Sequence, residues 1–180
     1  MIKPKLFLPI AAVILCAAVL AAVLISGNPE RVRQNIAVGF LTKLYSATYE
    51  EGKALVNVSP ENASFVIESS FQERYGAYLT ENCMDGLTAD RTLASLALLA
   101  YQTNSNFSPE TPRTETRSVK NVGAYDLYYY RYSFDLVQTD SQNGRTVQIW
   151  PVKVDVYLLQ TADGWKIDIF RLINRDYLKQ

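Results

Sequence analysis

The sequence predicts an α+β domain held behind an N-terminal membrane-spanning helix. Three observations carry that prediction: an uncharged apolar run from Leu6 to Ser26, apolar residues at helical spacing from Pro29 to Tyr101, and alternation at period two from Arg117 onward. Helices first and a strand meander afterwards indicate an antiparallel sheet packed on helices. At 180 residues the chain has room for an anchor and one core, and too little for two ordinary domains beside that anchor. The expected division is 1–27, tail and anchor, followed by 28–180, one extracytoplasmic domain.

The run LFLPIAAVILCAAVLAAVLIS is long enough to span. About 21 residues at ~1.5 Å each reach about 31 Å, close to the hydrocarbon thickness, and a helix satisfies its own backbone groups there. Pro9 falls in the first turns, where a missing donor costs little. Lys3 and Lys5 precede the run while Arg31, Arg33 and Lys43 follow it, so charge counting leaves orientation open. The short N-terminal tail favours a cytoplasmic start, and a long following domain is translocated largely regardless of charge. A cleaved signal peptide is the main competitor, but its apolar core is usually about 7–15 residues, and Val19-Leu20-Ala21 is a mediocre exit. Leu15 before Cys16 argues against lipoprotein processing, and a run apolar on every face argues against a buried core helix.

Asn28-Pro29-Glu30 is a helix start: Asn28 caps, Pro29 suits the first helical position and Glu30 complements the dipole. Ile36, Ala37, Phe40, Leu41, Leu44, Tyr45 and Thr48 follow as one apolar stripe. Ser59-Pro60-Glu61 repeats the start signal ahead of Ile67, Phe71, Tyr75, Tyr78 and Leu79. TADRTLASLALLAY, from Thr88 to Tyr101, predicts a third helix or a pair of short turns, and the polar stretch from Gln102 to Thr114, with Pro109 and Pro112, reads as a loop.

In AYDLYYYRYSFDLV, Tyr128, Tyr130, Tyr132, Phe134 and Leu136 share one face, opposite Tyr129, Arg131, Ser133 and Asp135. Asn143-Gly144 is a hairpin signal, and Trp150, Val152, Val154, Val156 and Leu158 line one face of the next strand against Lys153 and Asp155. Asp163-Gly164 makes a second turn into a strand on which Trp165, Ile167 and Ile169 share a face, with Trp165 expected to be a core residue.

This order of elements, ending in ADGWKIDIFRL, resembles the nuclear transport factor two-like fold, a cone of helices against a curved sheet, over roughly Pro29 to Leu178. The fold implies no single function, since it hosts enzymes, ligand carriers and assembly modules. With a membrane helix in front, the layout also resembles the inner-membrane assembly proteins of conjugation and type IV secretion channels.

The chemistry is restricted by composition. Basic and acidic residues balance at 18 each, so no large net field draws the chain to nucleic acid. There is no histidine, which removes the commonest general base and zinc ligand. Cys16 and Cys83 are expected as free thiols, Cys83 as a small buried hydrophobe. No glycine-rich phosphate loop occurs, and neither a cofactor nor a metal is expected. In ketosteroid isomerase, which shares the fold, a tyrosine and carboxyl groups move a proton. The resemblance therefore makes Tyr128, Tyr130 and Tyr132 candidate pocket-lining residues, with Asp126, Asp135, Asp155 or Asp168 facing them if a bulge displaces the alternation. Otherwise the tyrosines are core, and the aspartates pair across strands with Arg131 and Lys153.

Two functional readings follow. One is a non-catalytic interaction or assembly domain held at the membrane through residues 6–26, with other envelope proteins or a second copy as partner. The other is a small-molecule pocket, binding or enzymatic, in the mouth of the cone. A filled cone with an exposed sheet surface favours the first; an enclosed pocket with a convergent aspartate favours the second.

Overall fold

The computed structural model describes residues 28–58, 63–174 and 176–178. The expected membrane span lies outside them; among the described residues no helix is long and apolar enough to cross a membrane. Among the described residues five helices come first: α1 (Pro29–Tyr45), α2 (Tyr49–Val56), α3 (Ala63–Tyr75), α4 (Glu81–Ala89) and α5 (Thr92–Gln102). The strands are β1 (Ser105–Pro109), β2 (Arg113–Val122), β3 (Tyr125–Asp140), β4 (Thr146–Thr161) and β5 (Gly164–Leu172), and a 3-10 turn, Asp176–Leu178, follows.

The chain forms two compact units, Met1–Asn35 and Ile36–Gln180. In the first, the Asn28 side chain accepts from the Glu30 N–H at 3.0 Å, as its capping role requires, and Glu30 pairs with Arg33 at 3.0 Å.

The second unit is an antiparallel sheet curled around helices. Its order is β1-β3-β4-β5, with β2 also on β3. β1 takes the C-terminal part of β3, from Leu136 to Asp140, and β2 takes the part from Tyr125 to Ser133. One face meets the helices. Tyr130, Tyr132, Phe134 and Leu136 of β3 and Val152, Val154, Val156 and Leu158 of β4 are all buried there, against Ala37, Phe40, Leu41 and Leu44 of α1. Phe40 meets Tyr75 and Phe170 edge-on, at centroid distances of 5.9 and 5.5 Å, an arrangement the ring quadrupoles favour. Buried Gln138 donates to the Ser105 hydroxyl at 3.0 Å and accepts from the Trp150 indole at 3.4 Å, so both ends of the amide are satisfied.

Several local expectations are corrected. The first helical stripe breaks after Tyr45: Thr48 caps α2, its hydroxyl accepting from the Glu51 N–H while Glu51 accepts from the Thr48 N–H. This is a capping box, and it takes Thr48 out of α1. The second helix ends at Tyr75, leaving Tyr78 and Leu79 in a connector. Of the third helical region, expected from Thr88 to Tyr101, the structure forms α5, and Arg91, at φ 62, separates it from α4, a helix that begins at Glu81, ahead of that region. The loop expected from Gln102 to Thr114 contains β1 and the start of β2. The Asn143-Gly144 hairpin is wider than a two-residue turn: Asp140 accepts from the Gln142 and Asn143 N–H groups, and only Gly144 has positive φ, at 69. Asn143 therefore does not take the left-handed conformation that a type I′ turn demands.

The largest correction concerns β5. Tyr157 pairs with Ile169 and Leu158 with Ile167, which leaves Asp168 as a bulge. Trp165 and Ile167 face the core, but the extra residue moves Ile169 to the outer side and brings Phe170 inward. Trp165 is half-buried at the rim of the core, edge-on to Tyr128 at 5.1 Å.

Cys83 is buried, and burial first, then the Asp168 charge, pushes its thiol up to about 12. At pH 8 only about one thiol in ten thousand is then ionised. Peptide-resolved alkylation at that pH should leave Cys83 unmodified in the folded chain and modify it fully in urea. Rapid labelling of the native thiol would refute its burial.

Candidate interaction surface on the outer face of the sheet

The strand register sets three cross-strand pairs side by side on the outer face: Tyr129 with Tyr157, Arg131 with Asp155, and Ser133 with Lys153. β5 adds Arg171 opposite Asp155 and Ile169 opposite Tyr157. Asp155 is the hub. Arg131 grips it with two charge-assisted bonds, at 2.8 and 2.9 Å, and the Tyr129 hydroxyl donates to it at 3.0 Å. Tyr129 and Tyr157 lie 5.0 Å apart, with the Arg171 guanidinium 5.8 Å from the Tyr157 ring. Lys153 pairs with Glu115 at 2.8 Å and not with an aspartate.

Arg131 foremost, and then the Tyr129 hydroxyl, hold the Asp155 carboxyl below its usual range against the cost of burial. The Tyr129 hydroxyl is pushed up, first by burial and then by Asp155. A carboxylate held below its usual range and engaged by three donors is a poor general base at neutral pH. Its chemical role is to orient Arg131 and Tyr129. The result is a tyrosine- and arginine-rich surface, the side-chain types that carry binding energy at protein interfaces.

The pair is asymmetric, which makes it testable. The Asp155 side chain is 9% exposed and that of Arg131 is 37% exposed. Removing Arg131 strands a buried charge, whereas removing the charge on Asp155 leaves a guanidinium that water can reach. Arg131→Ala should lower the urea midpoint and Asp155→Asn should lower it clearly less. Because the folded pKa is depressed, the contribution of Asp155 is fully present above its unfolded value of about 3.9. It is lost as pH falls through the lower folded value. The stability difference between parent and Asp155→Asn should therefore shrink below about pH 4; a pH-independent difference would contradict the pairing.

Tyr128, Tyr130 and Tyr132 are brought together, but on the inner face. Tyr130 and Tyr132 are each 1% exposed and stack at 6.1 Å, and none of the three lines either of the two cavities described next. A cleft of about 930 Å³ lies between α3, α4 and the β4–β5 turn, with Phe71, Met84, Glu81, Asp85 and Lys166 on its walls. A smaller, mainly apolar hollow of about 310 Å³ lies among the helices, bounded by Leu44, Leu55, Phe71 and Leu93, with Arg74 at its side. Of the aspartates, Asp155 faces outward, Asp168 sits in the bulge and accepts from the Thr80 hydroxyl at 2.9 Å, and Asp126 accepts from Asn121 at 3.1 Å. Among the described residues no three His, Cys, Asp or Glu side chains gather as metal ligands.

Arg171 escapes sequence reasoning, because its place beside Asp155 depends on the bulged β4–β5 register, whereas Tyr157 stands two residues after Asp155 on the same face of β4. Alternation puts Arg131 and Asp155 on the polar faces of neighbouring strands, and the β3–β4 register sets them opposite each other.

The fold is similar to two solved structures. The periplasmic domain of DotI matches at a TM-score of 0.54 and 8% identity, covering 80% of this chain and 94% of that one. A periplasmic fragment of TraM matches at 0.52 and 5% identity, covering 79% of this chain and 95% of that one. No family model matches the chain, and no curated protein matches it.

Proposed function

We propose that the chain is a non-catalytic interaction or assembly domain of the cell envelope, anchored through residues 6–26 with residues 28–180 outside the cytoplasm. It would serve as a component of the conjugation or secretion type that its layout resembles. The observation that carries the reading is the division of the sheet's two faces. The inner tyrosines are consumed by the core, while the outer face presents an ordered tyrosine–arginine surface around a carboxylate held by three donors. The fold likeness supports it, since both matched structures are described as periplasmic. We read the helices on the curled sheet as a nuclear transport factor two-like cone whose mouth is filled, which weighs against the alternative of a small-molecule pocket there.

The full chain should fractionate with membranes, and protease added to intact spheroplasts should digest the domain. A soluble mature form beginning near Ala22, or a protected domain, would overturn the placement.

A further inference from the structure

The turn that joins β3 to β4 holds the one Asn-Gly pair of the sequence, Asn143-Gly144; each of the other asparagines is followed by a residue that carries a side chain. Such a pair can react with itself. The glycine amide nitrogen is placed by the chain to attack the asparagine side-chain carbonyl and close a five-membered imide, and glycine puts no Cβ in the way. In a folded chain the outcome is set by access to the two groups and by what holds them.

Asn143 and Gly144 are exposed and lie between the end of β3 at Asp140 and the start of β4 at Thr146. Gly144 has φ 69, and a Cβ built on it would meet nothing within 4 Å, so the space around it is open to water. The Asn143 Oδ1 accepts from the Arg145 N–H at 2.9 Å. That bond polarises the carbonyl under attack and receives the charge that builds on its oxygen, in the manner of an oxyanion hole. Asp140 opposes the reaction. Its carbonyl accepts from the Gly144 N–H at 3.0 Å, and its carboxylate holds the Gln142 and Asn143 N–H groups at 2.9 and 3.0 Å. A neutral carbonyl cannot take the Gly144 proton, so this clamp must open before the nitrogen attacks. Asn104-Ser105, the other asparagine followed by a small residue at this end of the sheet, is shielded, because Ser105 is 2% exposed.

We infer that Asn143 is a self-modification site, at which the Gly144 nitrogen displaces the side-chain amide as ammonia and water then opens the imide. In the first step the bond from the Gly144 nitrogen to the Asn143 Cγ forms, the Gly144 proton passes to water or hydroxide, and the Cγ–Nδ2 bond breaks as ammonia leaves. In the second, water adds at Cγ to give aspartate, or at the Asn143 main-chain carbonyl to give isoaspartate. Both products carry one more negative charge. The isoaspartyl product also lengthens the main chain by one carbon, inside the turn that the Asp140 N–H closes on the Arg145 carbonyl at 2.9 Å. The same turn is tied to the junction of α5 and β1, where the Ser141 N–H bonds to the Asn104 carbonyl at 3.1 Å and its hydroxyl to the Asn104 side chain at 2.8 Å. Modification therefore loosens the end of the β3–β4 hairpin.

The test incubates the full chain in detergent, at mildly alkaline pH in heavy-oxygen water, beside a synthetic peptide of residues 140–146, and maps every asparagine by mass spectrometry. Heavy oxygen and isoaspartate should appear first at Asn143, at a rate about two- to tenfold below that of the peptide, the weight of one net hydrogen bond in the clamp. Asp140→Ala frees the Gln142 and Asn143 N–H groups and should move the rate toward that of the peptide. Asn143→Gln, whose ring would need six members, should stay unmodified. In the isoaspartyl chain, separated by its charge, the Asp140 amide should exchange hydrogen about tenfold faster or more than in the parent. An Asn143 that stays intact while the peptide converts, or modification that begins at another asparagine, would overturn the site. An Asp140→Ala chain no faster than the parent would overturn the clamp, and an unchanged Asp140 amide would overturn the loosening of the hairpin.

Discussion

Phe40→Ala should destabilise the domain by about 3–5 kcal/mol, a large share of the 5–15 kcal/mol typical of a whole domain. Phe40 is 0% exposed and sits where α1, α3 and β5 converge, edge-on to both Tyr75 and Phe170. Alanine removes the ring and leaves a cavity that two other rings cannot both collapse into. The urea midpoint should fall steeply with the slope little changed. Trp165→Ala should cost less, because its ring is half-buried at the rim. A Trp165 effect equal to that of Phe40 would contradict the packing.

Gly52→Ala should also destabilise, reversing the usual sign. Alanine in place of glycine inside a helix ordinarily gains about 0.5–1 kcal/mol. Gly52 is buried in α2 where that helix crosses α5, and an added Cβ would overlap the Ala97 carbonyl oxygen and lie 2.7 Å from the Tyr101 Cβ. The obstacle is backbone, so the helices must separate. Overpacking of this kind costs about 1–3 kcal/mol, and we expect a net loss near the upper end, a fall of about 5–10 °C in melting temperature. An unchanged or raised melting temperature would show that α2 and α5 do not approach so closely.

The fold was legible wherever one face of an element is buried. Tyr130, Tyr132 and Phe134 in β3 and Val152, Val154 and Val156 in β4 announce themselves by alternation, since a slip by one residue would expose all of them. The break before α2 also had a signal, the Thr48 and Glu51 capping box, although the apolar stripe runs across it. β1 had almost none, because Phe107 is its one large apolar residue and its pairing is decided by Ala47 and β3. The Asp168 bulge was hidden for a related reason. Trp165 to Ile169 alternates without a flaw, and only the bridge from Tyr78 and Thr80 and the position of Phe170 reveal the extra residue. The Gly52 contact and the place of Arg171 beside Asp155 join segments distant in sequence, and no local pattern records them.

Cross-linking in living cells tests the central claim most directly. With a photo-reactive phenylalanine replacing Tyr157 in the full chain, irradiation should give discrete higher-mass adducts with envelope proteins, while the same group in place of buried Tyr130 gives none. A position 157 that stays free of adducts, in a chain that retains a small molecule in its native mass spectrum, would contradict the account.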